Sequence, residues 1–382
     1  MKKSYKIVDI WKKMPYNKVM ESNTRTISLV VTEKCNLNCV YCYEKYKTPR
    51  NMSFETAKKA IDKELKPSKT ENVYIDFFGG EPFCNFELIR QVYDYIMSFY
   101  QGKIRFFATT NGTLVHGGIQ KWLTERKDFF TVGLSLDGLK IAHDLNRSNS
   151  YDKIDIDFFL KNYPEQPVKM TISEQTLSYF ADGIIEMQRM GFRVECNLAY
   201  MVNWTNEKNK GILEEQLNRL IDFYLENPTV PRCQMFDFKI NALARPMEKK
   251  GFIRKYCGTG TGMVCYDIMG NAYPCQLFIP TSAGEKSVKT EELHLPQELP
   301  ISLFPKNCKN CYYLRICPIC FGSNYLSTGN FFTPDSNRCN LYKLIFQANA
   351  KLKALEWEKG LLSLRPDEEQ ALLRSIVAIQ QL

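Results

Sequence analysis

The sequence predicts an α/β fold: a partial (β/α)6-type barrel, open rather than closed, followed by a cysteine-rich segment and C-terminal helices. Three observations carry this reading. Short β-branched and aromatic runs recur at 27–31, 73–78, 104–109, 132–136, 168–172, 194–200 and 235–240, and most intervals between them are long enough for a helix and patterned like one. That alternation argues for parallel strands with crossover helices. The regular part, residues 25–243, is shorter than the roughly 250 residues of a closed eight-fold barrel. Beyond it, eight of the fourteen cysteines fall between 257 and 339, where Gly, Pro and Asn replace helical periodicity.

Residues 1–24 form a polar, mixed extension. The run Ile27–Val31 is the first strand and leads straight into three cysteines. In the first crossover Ser53 is suited to cap a helix and Glu55 to face its positive end; Phe54, Ala57, Ile61 and Leu65 share one face, and Pro67 is the expected stop. Later crossovers read similarly at 86–100, 118–126, 176–190 and 214–226. Residues 244–345 lack the apolar content for a core of their own, so metal is expected to hold them. The tail, 346–382, continues a helical pattern in which Leu344, Ala348, Leu352 and Leu355 share a face; it breaks near Lys359-Gly360 and resumes from Pro366. Packing or docking is its expected role.

With 44% hydrophobic and 24% charged residues the chain has the composition of a soluble globular protein. No apolar run reaches the roughly 18 residues of a membrane span, so no membrane partner is expected. The basic start leads into no apolar signal core, which predicts an unprocessed, cytoplasmic protein. Fourteen cysteines in a reducing compartment point to metal or reactivity rather than disulfides. A net charge of +9 without a concentrated basic tract describes a basic surface and not a nucleic-acid face. The three histidines, His116, His143 and His294, are not paired at ligand spacing, which argues against a histidine metal site or a Ser-His hydrolase.

The chemistry concentrates in Cys35-Asn-Leu-Asn-Cys39-Val-Tyr-Cys42. Three thiolates can wrap one iron-sulfur cluster but cannot complete its four-ligand shell. One iron stays open beside Tyr41 and Tyr43, where a substrate or cofactor can bind. One β/α unit later comes Gly79-Gly80-Glu81-Pro82, whose glycines permit close backbone approach to a ligand and whose Glu81 offers a carboxylate to an ammonium. After the third strand Asn111 lies among threonines suited to a ribose or a peptide, or to a polar turn. The fourth ends in Ser135-Leu-Asp137-Gly138, followed by Arg147, whose guanidinium fork matches a carboxylate. Asp137 suits either a ligand or the following turn. In the second half, Cys257, Cys265, Cys275, Cys308, Cys311, Cys317, Cys320 and Cys339 make two sets of four. Spacing alone suits zinc or iron-sulfur, so a zinc-stabilised binding module or a simple electron carrier stays open as a different class of protein.

The Cys-x3-Cys-x2-Cys motif resembles the signature of radical S-adenosylmethionine (SAM) enzymes. The order Cys, Gly-x4-Cys, Cys-x2-Cys, Cys, Cys, final Cys resembles the SPASM domain of radical SAM peptide maturases and anaerobic sulfatase maturases. Together the resemblances cover roughly residues 25–345. They imply three 4Fe-4S clusters and SAM as cofactors, with Cys35, Cys39 and Cys42 at the catalytic cluster. Gly79, Gly80, Glu81 and Pro82 would meet the methionine amino group, and Ser135 and Arg147 would contact SAM. By the family arrangement Cys257, Cys265, Cys275 and Cys320 hold the nearer auxiliary cluster and Cys308, Cys311, Cys317 and Cys339 the farther one. This chain has two residues between Cys317 and Cys320 where the family usually has three, which leaves the cluster of Cys320 open.

The implied activity is a 5′-deoxyadenosyl radical, formed with electrons from a flavodoxin or ferredoxin, that modifies a ribosomally made precursor peptide. Many relatives carry a leader-binding domain ahead of the cysteine motif. The residues before Cys35 are too few for one, so either the barrel binds the precursor directly or a separate protein presents it. In sulfatase maturases a carboxylate follows the Gly-x4-Cys cysteine and serves as the base for formylglycine formation. Here Gln276 stands in that place, and a neutral amide cannot take the proton; a base from elsewhere, such as Asp267, is the alternative. The expected product is therefore an intrapeptide crosslink, thioether or carbon-carbon, with thioether favoured.

Overall fold

The computed structural model describes residues 24–65, 72–100, 102–245 and 251–382. The expectations for the N-terminal extension through residue 23 and for Pro67 lie outside these residues. Strands β1 (Thr24–Thr32), β2 (Asn72–Gly79), β3 (Lys103–Thr110) and β4 (Phe130–Leu134) pair in parallel and in sequence order. Their crossovers are α1 (Phe54–Leu65), α2 (Phe86–Phe99) and α3 (Gly117–Arg126). Ser53 caps α1 as expected, its Oγ accepting from Thr56 N at 3.1 Å. After α4 (Lys140–Asn146) and α5 (Ile156–Asn162), strand β5 (Val168–Ile172) joins through the Ser135–Lys169 bridge. Across α6 (Phe180–Arg189), β6 (Val194–Leu198) then pairs with β5 in parallel. The six strands form an open array, and no closure between its ends is found among the described residues.

Alternation along the strands divides the array into two faces. Val73, Ile75 and Phe77 of β2 are buried beneath the helices, whereas Tyr74, Asp76 and Phe78 line the inner side. On the helix side the rings of Phe77, Phe106 and Phe130 stack across neighbouring strands at 5.6–6.2 Å, and Trp122 and Tyr93 close over them. These contacts leave the strand C-termini free to carry loops.

The segment expected as a seventh strand, Met235–Ile240, is not one. It folds as two 3-10 turns, Gln234–Phe236 and Ile240–Ala244. Side chains take its backbone groups in place of a neighbouring strand: Asn349 Nδ2 donates to the Met235 carbonyl, and Tyr224 accepts from Cys233 N at 2.9 Å. Tyr224 belongs to α7 (Glu207–Glu226), which starts about two turns before the expected Glu214 because Asn206 caps it.

The cysteine-rich part does not stand apart. After β7 (Phe252–Arg254), β8 (Met263–Tyr266) pairs in parallel with the outer edge of β1, placing Cys265 beside Ser28. It then turns into β9 (Ala272–Tyr273). The short helices α8 (Pro280–Ala283) and α9 (Lys306–Lys309) flank β10 (Glu298–Pro300), which pairs with β7. Phe278, Ile279, Leu295, Leu299 and Phe304 belong to the same hydrophobic core as the barrel, so the segment shares a core that its own composition cannot supply. Then come α10 (Phe321–Thr328), α11 (Ser336–Glu358) and α12 (Pro366–Gln380). The break at Lys359-Gly360 is present, with Gly360 at φ 67°. The buried face of α11 runs through Leu341, Ile345, Asn349, Leu352 and Glu356, and Leu344, Ala348 and Leu355 flank it half-buried. No helix among the described residues is long and apolar enough to cross a membrane.

Candidate functional site

The three-cysteine loop leaves β1 at the C-terminal edge of the sheet and is tied down on both sides. On one side Asn36 donates to Thr113 Oγ1 at 2.7 Å and accepts from Asn111 Nδ2 at 2.9 Å. On the other, Val40 N donates to the Asn146 carbonyl at 3.0 Å and Asn38 N to Ser148 Oγ at 3.0 Å. Ser148 and Asn149 adopt φ 56° and 51°, an uncommon left-handed conformation for residues other than glycine that turns Ser148 toward the loop. From below, β2 closes in: a Cβ on Gly79 would lie 1.9 Å from the Thr32 carbonyl oxygen, and one on Gly80 2.4 Å from that of Lys34. The two glycines thus serve a close approach to the chain's own backbone.

Glu81 points into this junction, almost fully buried. It accepts from Asn111 N at 2.7 Å, Thr110 Oγ1 at 2.8 Å and Phe83 N at 3.2 Å. Burial nevertheless pushes its carboxyl up to about 7, against the pull of those donors. An arriving ammonium would restore the charged form, so the site fits a cationic amino group. Pro82 opens the 3-10 turn that carries Phe83. Ser135, at the end of β4, is buried with its backbone N bonded to Thr110.

Protein groups surround Asp137. Tyr41 donates to Oδ2 at 2.7 Å, Asn146 Nδ2 at 3.1 Å, and Thr171 N donates to Oδ1 at 2.9 Å. Arg147 Nε lies 3.0 Å from Oδ2, an ion pair whose angle falls short of a hydrogen bond. The guanidinium sits 5.3 Å over the Tyr41 ring. Burial alone would loosen Arg147's proton; Asp137 outweighs it and raises the group above its ordinary value. The cysteine loop, β4, α4 and β5 meet at this one carboxylate.

Two of the loop thiols, Cys35 and Cys39, lean toward their neutral forms. Burial pushes Cys35 up to about 11 and raises Cys39, so a bound metal is what would make them thiolates. Lys47, unnoticed in the sequence, donates to Cys42 Sγ at 2.8 Å. A lysine in a polar loop carries no signal that it will fold back onto a cysteine. Asp76 was missed too: on the inner face of β2 it accepts from Ser28 Oγ at 2.9 Å, and burial pushes it up to about 6. Asp267, the alternative base, is spent on its own turn, accepting from Met269 N, Asn271 N and Tyr273 Oη at 2.9–3.1 Å. Gln276 Oε1 is buried without a partner.

The eight later thiols fall into two neighbourhoods. Burial and the adjacent Cys320 and Cys257 push Cys275 up to about 12, and Cys265 feels Cys275. Burial with Cys311, Cys339 and Cys308 pushes Cys317 up to about 12. Cys308, Cys311, Cys317 and Cys339 line one cavity of about 340 Å³, which Cys320 also borders. No three His, Cys, Asp or Glu side chains among the described residues converge closely enough for a single metal ion; the farther four surround a space instead, as ligands of a bulkier cluster do. Between the first loop and the nearer set, Tyr43 meets Tyr200 edge-on at 6.0 Å. Of the cysteines outside these sets, Cys196 and Cys233 are buried and hydrogen-bonded to each other.

A parallel β/α array whose first strand ends in such a loop, with a buried carboxylate and an arginine at the neighbouring strand ends, has a counterpart among known families. Residues 29–207 match the model of the Radical SAM superfamily, and this part of the chain is a radical SAM domain. That family implies a 4Fe-4S cluster and SAM. The chain is homologous to the radical SAM cyclopropyl synthase TigE of Paramaledivibacter caminithermalis, 24% identical over 91% of this chain and 77% of TigE. It is also homologous to the cysteine-type anaerobic sulfatase-maturating enzyme of Clostridium novyi, 24% identical over 85% of this chain and 96% of that one. Among solved structures, native anSMEcpe with bound AdoMet and Cp18Cys peptide superposes with TM-score 0.65 at 22% identity, over 86% of this chain and 98% of its own. Streptococcus suis SuiB bound to its precursor peptide SuiA gives 0.55 at 17%, over 83% and 76%.

Proposed function

We propose that this chain is a three-cluster radical SAM enzyme that crosslinks a ribosomally made peptide within itself. The observation that carries the reading is the separation of eleven cysteines into three sets, the first at the strand ends beside Glu81 and the Arg147–Asp137 pair. In this reading residues 25–243 are the barrel, 244–345 the SPASM domain and 346–382 a helical tail. Cys35, Cys39 and Cys42 hold the catalytic cluster. Cys257, Cys265, Cys275 and Cys320 hold the nearer auxiliary cluster, and Cys308, Cys311, Cys317 and Cys339 the farther one.

When bound and reduced by a flavodoxin or ferredoxin, the catalytic cluster with SAM supplies a radical that takes one hydrogen atom from the peptide. The chain's residues do the positioning. Glu81 receives the SAM ammonium, with Gly79, Gly80 and Pro82 shaping its loop. Asn111, Ser135 and the Arg147–Asp137 pair frame the rest, and Lys47 holds Cys42. Closing a crosslink removes one more proton and one electron, and clusters held by the two later sets of thiols would supply an acceptor for that electron. Gln276 cannot take the proton that formylglycine formation releases, which favours a thioether or carbon-carbon bond. The name of the relative TigE, a cyclopropyl synthase, supports the carbon-carbon arm. The peptides bound to anSMEcpe and SuiB support a peptide substrate, taken up in the cytoplasm either directly or from a separate leader-binding protein.

The test is anaerobic purification followed by assay on two peptides. About twelve irons per chain are expected, four per cluster; stoichiometric zinc would mark a binding module instead. Co-expression with a Cys-containing precursor should remove two hydrogens from the peptide, and fragmentation locates the bond. If the loss survives thiol alkylation, the cysteine is in the crosslink. Aldehyde on a sulfatase-type peptide would refute the crosslink reading and point to Asp76 as the base.

A further inference from the structure

Arg338 lies in the first turn of α11, one residue before Cys339. A helix N-terminus carries partial positive charge, so a cation is disfavoured there; the carboxylate at that end, the capping Asp335, is taken up by Asn337 N at 2.9 Å. The guanidinium is half-buried and borders a cavity. It stacks 5.5 Å over the Tyr200 ring and 5.0 Å over the Tyr342 ring, and Nη2 donates to Tyr342 Oη at 3.2 Å. Two other guanidiniums, one buried and one half-buried, have carboxylates: Arg147 has Asp137 at 3.0 Å, and Arg232 has Glu356 at 3.1 Å. Arg338 has none among the described residues. A charge packed against two rings without a counter-ion is unfavourable, and a negative group in the cavity it borders would stabilise it.

What surrounds it is thiols. Arg338 borders the same cavity as Cys317 and Cys320, which belong to different sets. Neutral thiols are no counter-ions, but four thiolates around an iron-sulfur cluster carry net negative charge. Gaining an electron adds one more, which a nearby fixed cation stabilises. We propose that Arg338 is a positioning residue shared by the two auxiliary sites, holding Cys320 and Cys339 in register and raising the reduction potential of both clusters. A higher potential makes each a better acceptor for the electron that crosslinking releases. This inference rests on the reading of the eight thiols as two cluster sites.

The test compares wild type with Arg338→Gln and Arg338→Lys after anaerobic reconstitution, first by iron content and then by potentiometric titration followed by electron paramagnetic resonance. Both auxiliary clusters are expected at lower midpoint potential in R338Q. R338K should lie between it and the wild type, and the cluster at Cys35, Cys39 and Cys42 should stay unmoved as the internal control. Should R338Q fail to hold its auxiliary iron, both sites are expected to empty together, leaving about four of about twelve irons. Unmoved potentials, a shift confined to one auxiliary cluster, or loss of one auxiliary cluster alone overturns the proposal. A wild type without auxiliary iron refutes the underlying assignment of the thiols, a result separate from any difference among the variants.

Discussion

Removing the Asp137 side chain should unfasten the site from the barrel. Asp137 is 1% exposed and Arg147 7%, so Asp137→Ala leaves a buried guanidinium without its counter-ion. Breaking a buried ion pair on one side typically costs about 3–5 kcal/mol. The same change strands Thr171 N and Tyr41 Oη, while Asn146 Nδ2 keeps the Thr171 carbonyl and Thr176 Oγ1. A buried donor left unpaired costs about 1–3 kcal/mol, though these donors relax together and the terms do not simply add. A loss near the upper end, about 4–5 kcal/mol, is expected. Asp137→Asn, which keeps an acceptor but not the charge, should fall between. Arg147→Ala should also destabilise, because it leaves the buried carboxylate without its counter-ion, and should weaken SAM binding while sparing cluster assembly. The double variant Asp137→Ala with Arg147→Met removes both charges and should recover much of the loss. Denaturant midpoints measured on all of these under one set of anaerobic conditions give the comparison. A loss below about 1 kcal/mol for Asp137→Ala, the range of a solvated surface pair, would show that the network does not hold the strand ends together.

Two further outcomes follow from the same site. Glu81 is raised to about 7 by burial, and a SAM ammonium favours its ionised form, so SAM affinity should fall roughly tenfold per pH unit below about 7. Without ligand the sign reverses: the folded state holds this proton more tightly than the unfolded chain, so stability should decline as pH rises from the ordinary carboxyl range toward 7. Glu81→Gln should flatten both profiles, and a wild-type binding isotherm unchanged between pH 6 and 8 by calorimetry would remove Glu81 from the ammonium site. Changing Cys35, Cys39 and Cys42 together to Ala should abolish 5′-deoxyadenosine formation and leave about eight irons in place. Continued formation of 5′-deoxyadenosine would mean that the first motif has been misread.

By itself the sequence determined what is local. Strand and helix periodicity marked the six parallel strands and their crossovers, because each side chain's face follows from its place along one element. The three-cysteine loop was legible for the same reason, its residues being close along the chain. What the tertiary structure alone decided depends on partners distant in sequence. Met235–Ile240 has a strand's composition, but α7 and α11 offer side chains to its backbone, and it pairs with no strand among the described residues. The cysteine-rich segment joins the barrel because β8 pairs with β1, a register no local pattern encodes. Gly79 and Gly80, expected to admit a ligand, admit the turn at Thr32–Lys34, since their neighbour is set by how β2 lies against β1. Asp137, Lys47 and Arg338 took their partners from other elements entirely. A charged side chain in a loop or first turn looks solvated in sequence, and only packing shows which one is buried and therefore must be neutralised by something.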